Sequence, residues 1–358
     1  MRILFTANPM YGHVNPMLPL VHAARAAGHD VVVATGADLV PHLAGHGVTT
    51  WTAGPSHREA GGGPDADWLA YFVSSAQRRA AELVPLAADW KPDLVVSEDT
   101  ELAGPVAAAV TGARHVVHGI GLMPPIQLWP VLGPAIRKML HRYGAEADHR
   151  AATYLELCPP SLRPPGERIW PRTLDLRPVA GLPAAGQRLP AALDALPYED
   201  TVHVTLGTVF HDHRDVLRTV VAALAALPVN VVATVGPGTD PARFGPVPGN
   251  VLLAPYLPHA LLLPRCTAVV SQGGAGILFG ALAHALPQLV LPQGGDQFGN
   301  AAALAASGAG LALDSAAAVA DGVNELLRAS SFRARAAVVQ RELTLMPHAP
   351  TVLARLTA

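Results

Sequence analysis

Residues 269–300 read VVSQGGAGILFGALAHALPQLVLPQGGDQFGN, and the fold turns on this stretch. A short apolar run, Ala268 to Val270, feeds the Gly-rich turn Gly273-Gly274-Ala275-Gly276, after which apolar residues recur with helical spacing. A strand, a loop and a helix N-terminus in that order make an anion site. The first N–H groups of the helix have no partner inside it, and the helix dipole presents its positive end there. A second apolar strand, Gln288 to Leu291, runs into Pro292-Gln293-Gly294-Gly295, after which Asp296 and Gln297 bring a carboxylate and an amide to a strand's carboxyl end. Those two side chains suit sugar hydroxyls. One unit is therefore expected to hold a nucleotide's phosphates at one end and a carbohydrate at the other.

The same alternation extends outward. Towards the start, Arg2 to Ala7 reads as a buried strand, Asn8 to Asn15 as a loop, Pro16 to Ala27 as a helix ended by Gly28, and Val31 to Thr35 as a strand. Leu94 to Ser97, Leu102 to Val110 and Arg114 to Val117 continue the pattern, which predicts a parallel sheet covered by helices. Two stretches rich in Gly and Pro, Gly54 to Asp67 and Gly119 to Pro134, read as long irregular loops of the functional kind. Prolines crowd into Cys158 to Pro197 as an interdomain connection, and alternation restarts with the strand Thr201 to Leu206, a helix near Arg214 to Ala226 and the strand Asn230 to Val235. The expected division is an N-terminal domain over 1–197, a C-terminal domain over 198–340, and a final helical segment over 341–358. The fold class is α/β, with two Rossmann-like domains facing across a cleft, where strand carboxyl ends collect ligands.

Composition narrows the function. The chain has 358 residues, half of them hydrophobic, enough for two cored domains. A net charge of -2 and the lack of any Lys/Arg run argue against a nucleic-acid surface or a polybasic membrane anchor. Cys158 and Cys266 match no zinc or redox spacing and read as reduced core thiols. The opening residues carry too short an apolar run for a secretory signal, and no span of about 20 apolar residues appears, so the expectation is a cytoplasmic protein.

With these elements in place, the chain resembles the GT-B-fold glycosyltransferases of family 1, particularly the bacterial macrolide and antibiotic glycosyltransferases. The resemblance rests on Gly12-His13-Val14-Asn15-Pro16, Val204-Thr205-Leu206-Gly207-Thr208, Tyr256-Leu257-Pro258-His259-Ala260-Leu261-Leu262, and the block from Gly273 to Ala301, spread in order over nearly the whole chain. It implies an inverting transfer, in which an acceptor hydroxyl attacks the anomeric carbon of a dTDP- or UDP-linked sugar and the nucleoside diphosphate departs. His13 stands where the family places its general base, and imidazole, with an ordinary pKa of about 6.5, suits that task at neutral pH. Glu98 stands where an acidic partner for the base is usual, with Asp99 beside it as the alternative and helix capping as the structural one.

The resemblance further implies that Tyr256 stacks on the nucleobase while the Leu257 backbone bonds its edge. Gly207 and Thr208 form a donor-side loop, Gln272, Gly274, Ala275 and Gly276 meet the diphosphate, and Asp296 and Gln297 meet the donor sugar. Ile120, Met123 and Trp129 line the acceptor side, where apolar residues favour a hydrophobic natural-product aglycone. Each of these has a plain alternative in core packing or capping. The only cosubstrate expected is the nucleotide sugar, with no metal or other cofactor. The partners are that donor and a hydrophobic aglycone, with no nucleic acid and no membrane, and a homodimer left open.

Two departures from the family stand out. Gln272 occupies the place of the usual His before the Gly-rich turn and cannot become cationic. Ile277 and Leu278 stand where a hydroxyl residue is common, leaving the phosphate to backbone groups. Two competing readings follow: a nucleotide-sugar 2-epimerase of the same fold, and a degenerate auxiliary protein that binds without catalysis. Asp65-Ala66-Asp67 and His211-Asp212-His213 resemble metal motifs but read better as a solvated turn and a helix start. Phe279 in place of the third glycine removes the dinucleotide fingerprint.

Overall fold

The computed structural model describes residues 1–62, 66–179, 181, 186–206, 214–236 and 239–358. It divides into two compact units. The first comprises Met1–Cys158, Pro165–Arg177 and Met346–Ala358, and the second Pro159–Pro164 and Pro178–Leu345. Most of the Pro-rich stretch after residue 177 thus groups with the second unit, and the final helix, Ala349–Thr357, packs within the first, against the helix Leu18–Ala26.

The first unit holds seven strands: β1 (Arg2–Thr6), β2 (Asp30–Thr35), β3 (Thr50–Thr52), β4 (Leu94–Glu98), β5 (Arg114–His118), β6 (Thr153–Glu156) and β7 (Thr173–Asp175). They lie in the order β3-β2-β1-β4-β5-β6-β7, all parallel. Ile3–Phe5 of β1 and Leu94–Val96 of β4 are apolar and buried on both faces, as a parallel sheet between helix layers requires. The chain runs outward from β1 to β3 and then returns to lay β4 on the other side of β1. The crevice between the carboxyl ends of β1 and β4 is therefore a topological switch point, where this class of sheet leaves room for ligands.

The second unit repeats the plan with β8 (Thr201–Thr205), β9 (Asn230–Thr234), β10 (Val251–Ala254), β11 (Ala268–Ser271), β12 (Gln288–Val290) and β13 (Gly310–Ala312). Their order is β10-β9-β8-β11-β12-β13, again all parallel, with the switch between β8 and β11. Val202, Val204, Val231, Ala268, Val270 and Leu289 form its core with Leu217, Val220 and Leu224 of the helix Arg214–Ala225.

Two segments differ from the sequence reading. The stretch 119–134 is not irregular throughout: a helix starts at Trp129 and runs to Arg142. Pro130 sits in its first turn, where the missing N–H is unpaired in any helix, so proline there marks a start and not a loop. Asp67 caps the 23-residue helix Trp68–Trp90, accepting from the N–H groups of Leu69 and Ala70, so it does structural work in place of standing in a solvated turn. Asp65, His211, Asp212 and His213 lie outside the described residues.

Candidate active site

His13 sits in the single helical turn Tyr11–Val14 just after β1, and Glu98 ends β4, so the switch point brings them together across 85 residues of sequence. His13 Nδ1 lies 2.9 Å from Glu98 Oε1. Asp99, the other candidate, is turned away: its Oδ2 accepts from the Tyr154 hydroxyl at 2.9 Å. Glu98 is buried, and everything around it donates. Oε1 accepts from Asn8 N (3.2 Å) and Asn8 Nδ2 (2.7 Å), while Oε2 accepts from Thr100 N (2.7 Å) and Thr100 Oγ1 (2.8 Å).

Burial alone raises the Glu98 pKa, but the charge and hydrogen bond of His13 and the donors of Thr100 overcome it and hold the carboxyl well below its usual range. Asp99 goes the other way. Burial first and the Glu98 charge second push it well above the ordinary aspartate value, against the Tyr154 hydroxyl and the Ile120 N–H. Two adjacent carboxyl groups are thus pushed in opposite directions, Glu98 towards the ionised form and Asp99 towards the protonated one. An ionised Glu98 can only accept, so His13 Nδ1 carries the proton and Nε2 offers its lone pair away from the carboxylate.

The surroundings of His13 are aromatic. The Phe72 ring lies 5.9 Å away, Trp68 lies 6.2 Å from Phe72, and Trp68 stacks on His57 at 6.0 Å. These residues come from the helix Trp68–Trp90 and the loop before it. Ile120 touches the site through its N–H to Asp99. Met123 packs against the cluster of Val117, Tyr154, Ile169 and Trp170. Trp129 packs against the same cluster, and its ring also stacks on His149 at 6.1 Å and on the Arg150 guanidinium at 5.9 Å. A cavity of about 450 Å³ lined by Arg114, His115, His149, Arg172 and Arg355 opens at the amino ends of β4, β5 and β6, the end opposite to Glu98.

In the second unit, Gln272 and the Gly-rich turn leave the end of β11 at its switch point, next to β8. Gly273 has a φ of +87°, and a Cβ there would meet Val290 Cγ1 at 2.6 Å, so both conformation and space demand glycine. Gly274 is the N-cap of the helix Ala275–Ala283, whose first closing bond runs from Leu278 N to Gly274 O at 3.0 Å. The N–H groups of Ala275, Gly276 and Ile277 accordingly have no acceptor within the helix. Space over Gly276 is open, with nothing within 4 Å of an added Cβ. Ile277 itself turns inward and packs with Leu257, Leu262 and Leu286.

The Gln272 side chain is 7% exposed, its Nε2 standing 3.1 Å from where a Cβ on Gly274 would be, and its Oε1 has no partner. The amide therefore lies against the helix start.

Asp296 occupies the N-cap position of the helix Gln297–Ser307 without a side-chain capping bond and is exposed in the loop that follows β12. Gln297 is buried, and its Oε1 accepts from Gln293 N (2.8 Å) and Gly294 N (3.2 Å), leaving N–H groups as what its amide can offer a ligand. Asn300, which the sequence reading passed over, ties the two loops together: its Nδ2 donates to Gly273 O at 2.8 Å and to Asp296 Oδ2 at 2.9 Å. The i, i+4 spacing from Asp296 was its only signal. Tyr256 is 52% exposed beyond β10, whereas the Leu257 side chain is core, so what Leu257 can present is backbone. Gly207 and Thr208 lie outside the described residues. Among the described residues, no group of three or more His, Cys, Asp or Glu side chains converges as a metal site, and no helix is long and apolar enough to cross a membrane.

Two doubly wound parallel sheets, one ending in a buried carboxylate–imidazole pair and the other in a Gly-rich turn opening a helix, define a GT-B glycosyltransferase. The chain belongs to the erythromycin biosynthesis protein CIII-like family, whose N-terminal domain matches residues 66–153 and whose C-terminal domain matches residues 218–358. It is similar to the L-demethylnoviosyl transferase of Streptomyces niveus, 36% identical over 331 residues that cover 87% of this chain and 85% of that one. The aclacinomycin-T 2-deoxy-L-fucose transferase of Streptomyces galilaeus is 30% identical over 422 residues, 97% of this chain and 93% of its own. Among solved structures, the spinosyn rhamnosyltransferase SpnG complexed with spinosyn aglycone matches with a TM-score of 0.85 at 26% identity, covering 100% of both chains. The glycosyltransferase VinC in complex with dTDP matches with a TM-score of 0.83 at 27% identity, over 100% of this chain and 98% of that one.

Proposed function

We propose that this glycosyltransferase moves a deoxysugar from a dTDP-linked donor to a hydrophobic natural-product aglycone with inversion, using His13 as general base. The observation that carries the reading is the 2.9 Å pair of His13 Nδ1 and an ionised, fully donor-surrounded Glu98, which leaves His13 Nε2 as a lone pair. The acceptor O–H gives its proton to Nε2 as its oxygen bonds the anomeric carbon. The bond from that carbon to the diphosphate oxygen breaks on the opposite face, and the electron pair leaves with dTDP. Glu98 fixes the ring and stabilises the imidazolium without taking the proton.

The diphosphate is assigned to the free N–H groups of Ala275 and Gly276 and the Gln272 amide, with Gly274 allowing close approach. Tyr256 and the Leu257 backbone take the base, and Asp296 and Gln297 the sugar, the carboxylate accepting from a hydroxyl and the buried amide donating to one. Gly207 and Thr208 complete the donor side. On the acceptor side, Phe72 and Trp68 beside His13 join Ile120, with Met123 and Trp129 set behind them in the packing. The dTDP-bound and aglycone-bound relatives support the choice of nucleotide and acceptor class. Calorimetry with dTDP and UDP, followed by turnover of a dTDP-deoxysugar with a panel of polyketide aglycones, tests the reading. Tight dTDP binding and transfer that His13→Ala abolishes are expected. Transfer that survives His13→Ala sinks the assigned base, and nucleotide binding with neither transfer nor donor hydrolysis sinks the activity.

A further inference from the structure

We infer that Asn8 is a positioning residue of the His13–Glu98 pair, oriented in turn by the buried Arg79; the inference rests on the proposed role of His13 as base. Asn8 is 1% exposed and gives Glu98 Oε1 two hydrogen bonds, from its backbone N and from Nδ2. A carboxamide can turn either of its two similar ends to a neighbour, and only its other partner decides which. Here that partner is Arg79 Nη1, 2.8 Å from Asn8 Oδ1. A guanidinium has no lone pair, so the oxygen must face Arg79 and the N–H groups must face Glu98.

Arg79 is itself fixed. It is fully buried, its Nε donates to Ala53 O at 3.2 Å, and Nη1 also reaches Glu101 Oε1 at 3.4 Å. Glu101 is held by the Thr6 hydroxyl and by the N–H groups of Ala103 and Gly104. A polar chain thus runs from Glu101 through Arg79 and Asn8 to Glu98 and His13, entering beneath the switch point from the helix Trp68–Trp90. Glu101 balances the Arg79 charge, so what the chain passes to Glu98 is orientation. With Asn8 on one side and Thr100 on the other, the Glu98 carboxylate cannot rotate its Oε1 away from His13.

The isosteric variant Asn8→Asp isolates this role, because an aspartate still accepts from Arg79 but turns an acceptor to Glu98 in place of a donor. The expected result is a fall in kcat of roughly tenfold or more, the order of one charge-assisted hydrogen bond, with donor KM unchanged. The acidic limb of the pH–rate profile is expected to move to higher pH, since an added negative charge holds the imidazolium proton more tightly. A second arm measures Asn8→Ala alone and in the Glu98→Ala background. If Asn8 acts through Glu98, the change costs little once the Glu98 carboxylate is gone, whereas a merely structural residue costs the same in both. An unshifted profile with wild-type kcat in Asn8→Asp, or full additivity in the cycle, overturns the assignment. Should Asn8→Asp fail to fold, the cycle alone decides. Activity surviving His13→Ala removes the underlying reading, while an inactive His13→Ala with an additive cycle removes only the role of Asn8.

Discussion

Replacing Glu98 with Gln is the sharpest perturbation of the proposed base. A glutamine oxygen placed at the Oε1 position keeps the donors from Asn8 and His13, but its NH₂ then meets the Thr100 N–H, which now stands 2.7 Å from Oε2. The opposite orientation is worse, since the NH₂ would face three N–H donors at once. The ring of His13 therefore keeps its place and loses its counter-charge. Two unit charges about 4 Å apart in an environment of effective dielectric 20 attract by about 4 kcal/mol. That attraction is present in the transition state, when the imidazole has become imidazolium, and absent in the neutral ground state, so its loss falls on kcat. At 1.36 kcal/mol per tenfold, the expected drop is roughly 10²- to 10³-fold. The opposed N–H groups are expected to cost about 1–3 kcal/mol of stability besides. The assay is dTDP release and product formation by chromatography, with dTDP affinity by calorimetry and a thermal melt as controls. A Glu98→Gln enzyme within threefold of wild-type kcat, alongside an inactive His13→Ala, would refute the reasoning, because His13 would then be working without its carboxylate.

Other consequences are as specific. Gln272→Ala is expected to weaken dTDP binding roughly 10- to 100-fold through loss of a hydrogen bond to a charged oxygen, and Gln272→His to restore it with affinity rising as pH falls; calorimetry at pH 6 and pH 8 checks both. Gly273→Ala forces a Cβ towards Val290 in a left-handed backbone and should cost about 1–3 kcal/mol of stability, read by denaturant unfolding, together with dTDP affinity. In the second unit, His203 Nδ1 faces Val232 O at 2.9 Å and its Nε2 faces His259 Nε2 at 3.2 Å. Burial, and for His203 also the charge of His259, push these rings down to about 3 and about 4. Both folded values lie below the unfolded 6.5, so their neutral pairing stabilises fully above pH ~6.5 and is lost as pH falls from there towards 4, by about 3 kcal/mol for one ring. Hydrogen exchange of residues 201–205 between pH 7 and pH 5 should show protection falling in wild type and changing less in His259→Leu; equal pH dependence in both refutes it.

How far the sequence reached depended on whether a signal was local. The block 269–300 displays strand, turn and helix in adjacent residues, and Gly273 is demanded by its own backbone, so the strand, turn and helix of the second unit's switch point were legible almost as they stand. His13 and Glu98 were found separately, through a motif and a strand end, and the choice between Glu98 and Asp99 needed coordinates, because a strand's last residue and the next point in different directions. Arg79 shows the limit. Tyr71, Ser75, Ala76, Ala80, Leu83 and Val84 share its buried helical stripe, so its burial was written in the spacing. Its partners, 71 residues back at Asn8 and 22 forward at Glu101, are chosen by sheet topology and left no local trace. The loop reading at residues 129–134 failed for the opposite reason: two nearby prolines suggested a loop, while one of them sits where a helix tolerates it best.

The helix Ala349–Thr357 lies on the helix Leu18–Ala26, a few residues beyond His13, and buries Val352 and Leu353 in the unit that holds β1. During translation, the unit whose strands emerge from the ribosome before those of the other is consequently closed only after the other has been made. Until residues 346–358 arrive, nascent chains carry an uncovered oily strip on the helix that follows His13, which is where a chaperone would be expected to grip.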